Sequence, residues 1–174
     1  VLQGWALHRR SNHLEEYFNV TAVRSPASSP SDRTTSYAFP ASTMGRHVIT
    51  IRRNGWVITN VHAESGRDTA QRDQRAEQLM YLSRLHELQD GQAWVLAGDF
   101  NVREGEDHCL RTEGWRDAWI GANPHTKTWT WQAATNKHTV GSTAFAHSTG
   151  RFDRIYTHTR GADAVECVSV SRIE

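Results

Sequence analysis

The chain has 174 residues, with 20 lysine and arginine residues against 19 aspartate and glutamate residues and a formal net charge of +1 at pH 7. This balance excludes an overall basic field of the kind that drives indiscriminate nucleic-acid binding, so any phosphate recognition must be local. The length fits one domain with its own core, and no run reaches the ~18 apolar residues of a membrane span. Cys109 and Cys167 match no metal-binding spacing and favour a reducing, intracellular compartment, nuclear or cytoplasmic.

The first third of the chain is rich in predicted strands. Residues 17–24 have the β-branched and aromatic content of a strand, and residues 25–32 form a loop rich in proline and serine. Two further strand-like runs, in RHVITIRRNGWVITNVHAES, flank Asn54 and Gly55. Because Asn-Gly between apolar runs favours a type I′ turn, we expect a β-hairpin here.

One amphipathic helix is expected next, in the segment DTAQRDQRAEQLMYLSRLHELQ. Ala76, Leu79 and Met80 recur there at helical spacing among charged residues. Asp68 or Thr69 is available as its N-cap. The pattern predicts a helix that packs on the sheet.

Three more strands are predicted in the second half of the chain. Residues 93–97 look like a buried strand, and Gly98 lets the backbone turn where that strand stops. The segments RFDRIYTHT and AVECVSVSRI supply two further candidates. The fold class is therefore α/β or α+β with a mixed sheet, since the hairpin argues against purely parallel order.

Polar side chains follow the predicted strands at the points where the strands end. Asp99 and Asn101 come directly after one strand, His62 and Ser65 after another, and Asp153 lies in RFDRIY. Open α/β sheets commonly bind ligands at the carboxyl ends of their strands. Gly-Asp and Asn are also ordinary turn residues, and taken alone each position has this simpler interpretation.

Four motifs in order resemble a known family. HAESGR, GDFNVR, WTWQ and RFDRIY together resemble the exonuclease-endonuclease-phosphatase superfamily, and within it the tyrosyl-DNA phosphodiesterase 2-like group. The resemblance spans residues 15–158 in order and spacing. It implies a mixed β-sheet sandwich flanked by helices. It also implies a phosphodiesterase dependent on Mg²⁺, or on Mn²⁺, that hydrolyses 5′-tyrosyl-DNA links in DNA repair, with a DNA 5′ end or another phosphodiester as its substrate.

The resemblance also implies roles for the residues at the strand ends. Asp99 would orient or deprotonate the attacking water, and Asn101 would bind the phosphate beside it. His62 would contact the phosphate with Ser65 donating alongside, and Asp153 would orient a catalytic histidine. For His62 the alternative is a surface histidine, and for Asp153 it is a structural ion pair with the flanking arginines.

The remaining candidates are arginines and one tryptophan. Arg67 and Arg103 are expected to bind phosphate or to form ion pairs, whereas Arg72 and Arg75 on the helix are expected to be solvated. Trp131 would lie near a bound single strand, where stacking contributes ~1 to 3 kcal/mol per base. A place in the core is the alternative for Trp131, as it is for many tryptophans.

The family pattern is incomplete in this sequence. The family's metal site uses an Asn and a Glu from two earlier strands, and the family closes with an S-D-H motif; none of these is found, so the metal ligand is unknown. We therefore expect residues 1–174 to form a single domain that is the central and C-terminal part of a longer catalytic domain. We also expect this stretch alone to hydrolyse phosphodiesters poorly or not at all. The alternative is a catalytically inactive relative that serves as a structural or binding module in a larger complex.

Overall fold

The computed structural model describes residues 5–9, 19–24, 32–125, 128–135 and 148–160. The strands in these residues are β1 (Trp5–Arg9), β2 (Val20–Arg24), β3 (Arg33–Ala38), β4 (His47–Arg53), β5 (Trp56–His62), β6 (Ala93–Asp99), β7 (Arg116–Asp117), β8 (Trp131–Gln132), β9 (Thr149–Gly150) and β10 (Asp153–Thr159). The helices are α1 (Thr69–Ser83), α2 (Leu85–Leu88), α3 (His108–Thr112) and α4 (Ala118–Ala122). Most of the predicted loop, the predicted strand at 164–173 and Cys167 lie outside the described residues.

The main sheet has six strands in the order β3-β4-β5-β6-β10-β7. Its pairings are antiparallel except that of β5 with β6, which are parallel. A parallel pair needs a long crossover connection, and α1 lies in it. The α/β class and the mixed sheet are therefore confirmed.

The predicted hairpin is present between β4 and β5. Asn54 and Gly55 have φ angles of +49° and +80°, the positive values that a type I′ turn requires at both central residues. The turn sets the register, in which Arg53 pairs with Trp56 and Val48 with Val61. This register later determines which residue lies beside the candidate site.

Helix α1 is confirmed, together with its N-cap. The side chain of Asp68 accepts a hydrogen bond from the N–H of Gln71, and the side chain of Gln71 accepts one from the N–H of Asp68, which forms a capping box. The helix ends at Ser83, and α2 is a separate short helix rather than a continuation of it.

The buried face of α1 differs from the predicted one at Ala76 and Met80, which are both exposed. Gln78, Leu79 and Leu82 are buried, whereas Met80 is 46% exposed. Leu79 and Leu82 are three residues apart and share a face, and Met80 is rotated away from it toward solvent. The expectation that Ala76 and Met80 pack on the sheet was therefore wrong.

The two faces of the sheet have different neighbours. Val57 and Val61 of β5 pack with Leu79 and Leu82 in the core, which places α1 on their face. Asn60 points to the other face, where its Nδ2 donates to the carbonyl oxygen of Val20 at 2.9 Å. The small β1–β2 sheet thus contacts the face opposite α1, in keeping with the expected sandwich.

One end of the sheet is packed with aromatic rings. The imidazoles of His86 and His158 stack with centroids 4.1 Å apart, and Trp94 and Trp115 lie 5.6 and 5.4 Å from His158. We call these four residues the aromatic cluster. Trp94 is fully buried.

Within the described residues, no helix is both long and apolar enough to cross a membrane.

Candidate active site at the carboxyl end of the parallel strands

Three polar side chains lie in a row across three neighbouring strands. His62 of β5 is opposite Asp99 of β6 in the sheet register, and Asp153 of β10 is opposite Asp99 from the other side. Residues opposite one another on paired strands point to the same face. His62 Nε2 lies 3.7 Å from Asp99 Oδ2. The structure thus brings these predicted site residues together at one end of the sheet.

The end of β6 has two backbone positions with positive φ. Gly98 has φ of +140°, and a Cβ there would overlap the carbonyl oxygen of Val61, so glycine is needed for β6 to approach β5. Asn101 has φ of +52°. From the sequence we expected the strand to stop at Gly98. Strand β6 instead continues through Asp99, so the role of Gly98 is to permit the close approach of β6 to β5.

Asn101 connects the row to the loop after β5. Its backbone N–H donates to Asp99 Oδ1 at 2.9 Å, and its Nδ2 donates to the carbonyl oxygen of Ala63 at 3.1 Å. One donor of the amide is therefore used for orientation. These two hydrogen bonds fix the Asp99 carboxylate and the Asn101 amide relative to each other.

Arg46 is a residue of the site that we did not identify from the sequence. Its Nη1 lies 3.2 Å from His62 Nδ1, and its Nη2 donates to Ser65 Oγ at 3.4 Å. Arginine only donates, so Nδ1 of His62 is the acceptor, and the proton of the neutral ring is on Nε2, facing Asp99. The hairpin register could have revealed Arg46, because it continues from Val48 and Val61 to place position 46 beside the end of β5.

The site shifts the pKa of both His62 and Asp99. Burial, assisted by the Arg46 guanidinium, lowers the pKa of His62 to about 4, so the ring is neutral at pH 7. Burial also raises the pKa of Asp99; the Asn101 N–H acts against this, and the Asp153 carboxylate adds to it. A carboxylate with a raised pKa is a stronger proton acceptor than an ordinary one.

A cavity of about 290 Å³ lies beside this row. Its lining residues are Arg67, Arg72, Arg75, Arg103, Glu104 and Glu106. Four guanidinium groups against two carboxylates leave the lining positively charged. Guanidinium groups suit phosphate oxygens because they offer several N–H donors in a planar fork.

Arg75 is buried in the wall of this cavity, so the expectation that it is solvated was wrong. Its Nε and Nη2 donate to the Glu106 carboxylate at 2.9 and 3.0 Å, and its Nη1 donates to the carbonyl oxygen of Glu64 at 3.1 Å. Glu106 lies on the loop between β6 and α3, so the helical spacing of α1 could not reveal that Arg75 has a partner there. Arg72 has a 63% exposed side chain, as expected.

The two predicted substrate arginines both line the cavity. Arg67 is exposed. Arg103 donates from Nη1 to the carbonyl oxygen of Asn101 at 3.0 Å, and its guanidinium lies 4.5 Å from the centroid of the Phe152 ring. Burial and the nearby Arg75 lower the pKa of Arg103. Arg103 therefore joins the cavity to the Asp99 row.

Asp153 is exposed, and the arginines on either side of it bind other carboxylates. Arg151 Nη2 lies 2.5 Å from Asp117 Oδ2, and Arg154 Nη1 lies 3.0 Å from Asp107 Oδ2. The alternative for Asp153 was an ion pair with these two arginines. Arg151 pairs with Asp117 and Arg154 pairs with Asp107 instead.

Trp131 is half-buried on β8, close to the start of β10. Its Nε1 donates to Ser148 Oγ at 3.4 Å. The hydroxyl of the preceding Thr130 accepts from the N–H of Phe152 and from that of Asp153, both at 3.0 Å. Thr130 thus connects β8 to the start of β10, and the neighbouring Trp131 is half-buried.

The described residues do not complete a metal site beside Asp99. Magnesium prefers oxygen ligands, and Asp99 and Asp153 supply carboxylates. In the described part of the chain, three side chains that could bind a metal ion lie together elsewhere. They are His86, Glu87 and Glu113, whose ligand atoms are within 4.8 Å of one another. That group includes a histidine of the aromatic cluster, at the opposite end of the sheet.

Solved structures with the same fold include two that contain product DNA. TDP2 of Caenorhabditis elegans has a TM-score of 0.67 and 24% identity, over 90% of this chain and 62% of that chain. D. rerio TDP2, complexed with single strand DNA product, has a TM-score of 0.69 and 22% identity over the same shares. The 3′ phosphatase NExo from Neisseria, bound to a product DNA hairpin, has a TM-score of 0.61 and 18% identity, over 88% of this chain and 66% of that chain.

These likenesses concern the fold, and the chain spans 62% of the length of either TDP2 structure. No curated protein sequence matches the chain significantly. The model of the Endonuclease/Exonuclease/phosphatase family matches residues 4–172. The match covers both strands of the parallel pair and all the residues of the row. The chain therefore belongs to the Endonuclease/Exonuclease/phosphatase family.

Proposed function

We propose that this protein is a phosphodiesterase that hydrolyses 5′-tyrosyl-DNA links, with Asp99 at the reacting centre. The proposal rests mainly on one observation: His62, Asp99 and Asp153 form a row at one end of the sheet, beside a cavity lined by four arginines. Family membership and the DNA-bound neighbours support a phosphodiester substrate. The tyrosyl substrate is inferred from the motifs HAESGR and WTWQ.

Asp99 is proposed to orient and deprotonate the attacking water. Its raised pKa favours proton acceptance, and the Asn101 N–H holds one of its oxygens in place. The other oxygen faces His62 Nε2. The carboxylate is thus fixed without losing its capacity to accept a proton.

The phosphate is proposed to bind between His62, Ser65, Asn101 and Arg46. His62 is neutral at pH 7 and carries its proton on Nε2, so it can donate a hydrogen bond without adding charge. Arg46 provides the positive charge that balances the phosphate oxygens.

Enzymes of this family generally depend on a divalent metal ion. We propose Mg²⁺, or Mn²⁺ in its place, which would neutralise charge on the phosphate when bound. The described residues do not complete its site, so the residues derived above account for water orientation and phosphate contact only.

A single strand of DNA is proposed to run from the row across the arginine cavity, with Trp131 as a stacking face. The arginines would follow the phosphates and the indole would contact a base. Asp153 is proposed to orient a catalytic histidine. A nuclear or cytoplasmic location is proposed from cysteine use, and protein partners are unknown.

The experiment compares three substrates in the full-length protein, with Mg²⁺ present. Release of tyrosine from a 5′-tyrosyl oligonucleotide is measured beside cleavage of an abasic duplex and hydrolysis of an inositol phosphate. We expect the tyrosyl oligonucleotide to be preferred, and Asp99→Asn to abolish turnover with binding retained. Asp73→Asn, an exposed change on α1, is the matched control.

Two outcomes would contradict the proposal in different ways. Preference for either comparison substrate means that the tyrosyl assignment is wrong and only the family remains. Absence of turnover on all three, with oligonucleotide binding intact, favours the inactive binding module instead.

A further inference from the structure

We propose that Glu64 is a positioning residue that holds Arg46 in the site through Ser42. The inference rests on the proposed function only in giving Arg46 a ligand, because the contacts themselves join Glu64 to His62. The sequence pointed to the residues around Glu64 but gave it no role.

Glu64 is fully buried, and its carboxylate is surrounded by donors. Oε1 accepts from Thr43 N at 3.1 Å, Thr43 Oγ1 at 3.0 Å and Met44 N at 3.0 Å. Oε2 accepts from Ser42 Oγ at 2.7 Å and from Gln78 Nε2 at 3.3 Å. Burial acts to raise the pKa of Glu64, but these hydrogen bonds outweigh it and lower the pKa.

The same residue is anchored to helix α1. Its backbone N–H donates to Gln78 Oε1 at 2.8 Å, so Gln78 holds both the main chain and the side chain of Glu64. Gln78 is itself fully buried. Glu64 is therefore a fixed point to which residues 42–44 are attached.

Arg46 follows directly from that attachment. Ser42 Oγ donates to Glu64 and accepts from the backbone N–H of Arg46 at 2.8 Å. From this position the guanidinium reaches His62 Nδ1 and Ser65 Oγ. The path from Glu64 to the site is thus Glu64, Ser42, Arg46 and His62.

A carboxylate is required at position 64 because all five contacts are donors. A glutamine would replace one acceptor oxygen with an N–H₂ group and turn it against donors of residues 42–44 or of Gln78. Glu64→Gln keeps the shape of the side chain while removing acceptor capacity. It should release residues 42–44, and with them Arg46.

The test is the pKa of His62, followed by NMR in the protein without substrate. Arg46 lowers this pKa, whereas the charge of Glu64 itself raises it slightly. Loss of the Glu64 charge alone would therefore lower the pKa of His62 further. Release of Arg46 would raise it. The two explanations predict changes of opposite sign.

We expect Glu64→Gln and Arg46→Met each to raise the pKa of His62 from about 4 toward its ordinary value. The double variant should raise it no further than Arg46→Met alone, because both changes remove the same interaction. Asp107→Asn, which alters a buried carboxylate bound to Arg154, is the matched control and should leave the pKa of His62 unchanged.

A second variant guards against misfolding. Ser42→Ala breaks the link to Arg46 without changing Glu64, and should also raise the pKa of His62. An unchanged or lowered pKa in both folded variants, or additive effects in the double variant, would overturn the proposal. Because no turnover is measured, this failure is distinct from failure of the proposed activity.

Binding gives a second readout. A 5′-phosphorylated single strand should bind about tenfold more weakly to Glu64→Gln and to Arg46→Met, and no more weakly to the double variant. Unchanged pKa together with weakened binding would show that Glu64 acts on the ligand by another route, and would contradict the positioning role.

Discussion

The two ends of strands β6 and β10 are built on opposite principles. At one end Trp94 and His158 face each other in the register and pack with Trp115 and His86. At the other end Asp99 and Asp153 are paired in the same strands. Trp94 and Asp99 are five positions apart along β6, which is about 17 Å.

The aromatic end and the polar end contribute to different properties of the protein. The aromatic end buries large apolar surfaces, which stabilises the folded state. At the polar end burial disfavours the ionised Asp99 and the protonated His62. The first end should therefore dominate the free energy of unfolding, and the second should dominate ligand binding.

The largest expected effect breaks the aromatic end. Trp94→Ala should reduce the free energy of unfolding by about 3 to 5 kcal/mol, because it leaves a large cavity in the core. Asp99→Asn should leave stability unchanged or increase it at pH 7, since burial destabilises the ionised carboxylate that the change removes. Urea unfolding measures both. Equal destabilisation by the two changes would contradict the division between the ends.

Within the polar end, two arginines of helix α1 can be compared by their effect on stability. Arg75→Met removes a buried guanidinium and leaves the half-buried Glu106 without its main partner, so it should cost about 3 kcal/mol of stability, the lower end of the range for breaking a buried pair. Arg72→Met removes a largely exposed side chain 3.6 Å from the same carboxylate and should cost less than about 1 kcal/mol. Thermal unfolding of both variants checks this. Similar costs would show that the Arg75 pair is not what supports the cavity wall.

A smaller effect should appear as a dependence on pH. His62 has a folded pKa of about 4 against an ordinary 6.5, so between these values the unfolded chain binds more protons than the folded one. Stability is therefore lost as pH falls from 6.5 to 4, by about 3 kcal/mol at most. The difference between wild type and His62→Gln isolates this effect from that of the carboxylates. His108→Gln, an exposed change, should show no such difference.

The smallest effect concerns the proposed stacking face. Trp131→Ala should weaken binding of a single-stranded oligonucleotide by about 1 to 3 kcal/mol. Trp56→Ala removes a tryptophan that is 39% exposed at the far end of β5 and should leave binding unchanged. Fluorescence anisotropy measures both affinities. If only protein stability changes in Trp131→Ala, Trp131 is a core residue and the stacking interpretation is wrong.

Local chemistry made most of the fold predictable. The Asn54-Gly55 pair gave the hairpin, and Asp68 gave the start of α1, because both signals act within a few residues. Burial was less predictable. Arg75 and Met80 were assigned to the wrong environments because their surroundings come from distant parts of the chain.

The candidate site was predictable where it follows strand ends. His62 and Asp99 were placed together because each comes at the end of a predicted strand, and the structure shows that these two strands are parallel neighbours. Arg46 was missed because it precedes a strand and belongs to no motif; only the register of the hairpin shows that it returns to His62. Glu64 was passed over because its role depends on five donors that no sequence pattern assembles.

The parallel pairing of β5 with β6 also has a consequence for how the molecule folds. The β4–β5 hairpin is local and can bring Arg46 to His62 early, since a two-residue turn closes quickly. Asp99 can join them only after the crossover through α1 has closed, which is a slower, non-local step. The ability to bind a phosphate is therefore acquired late, and its return during refolding marks completion of the sheet.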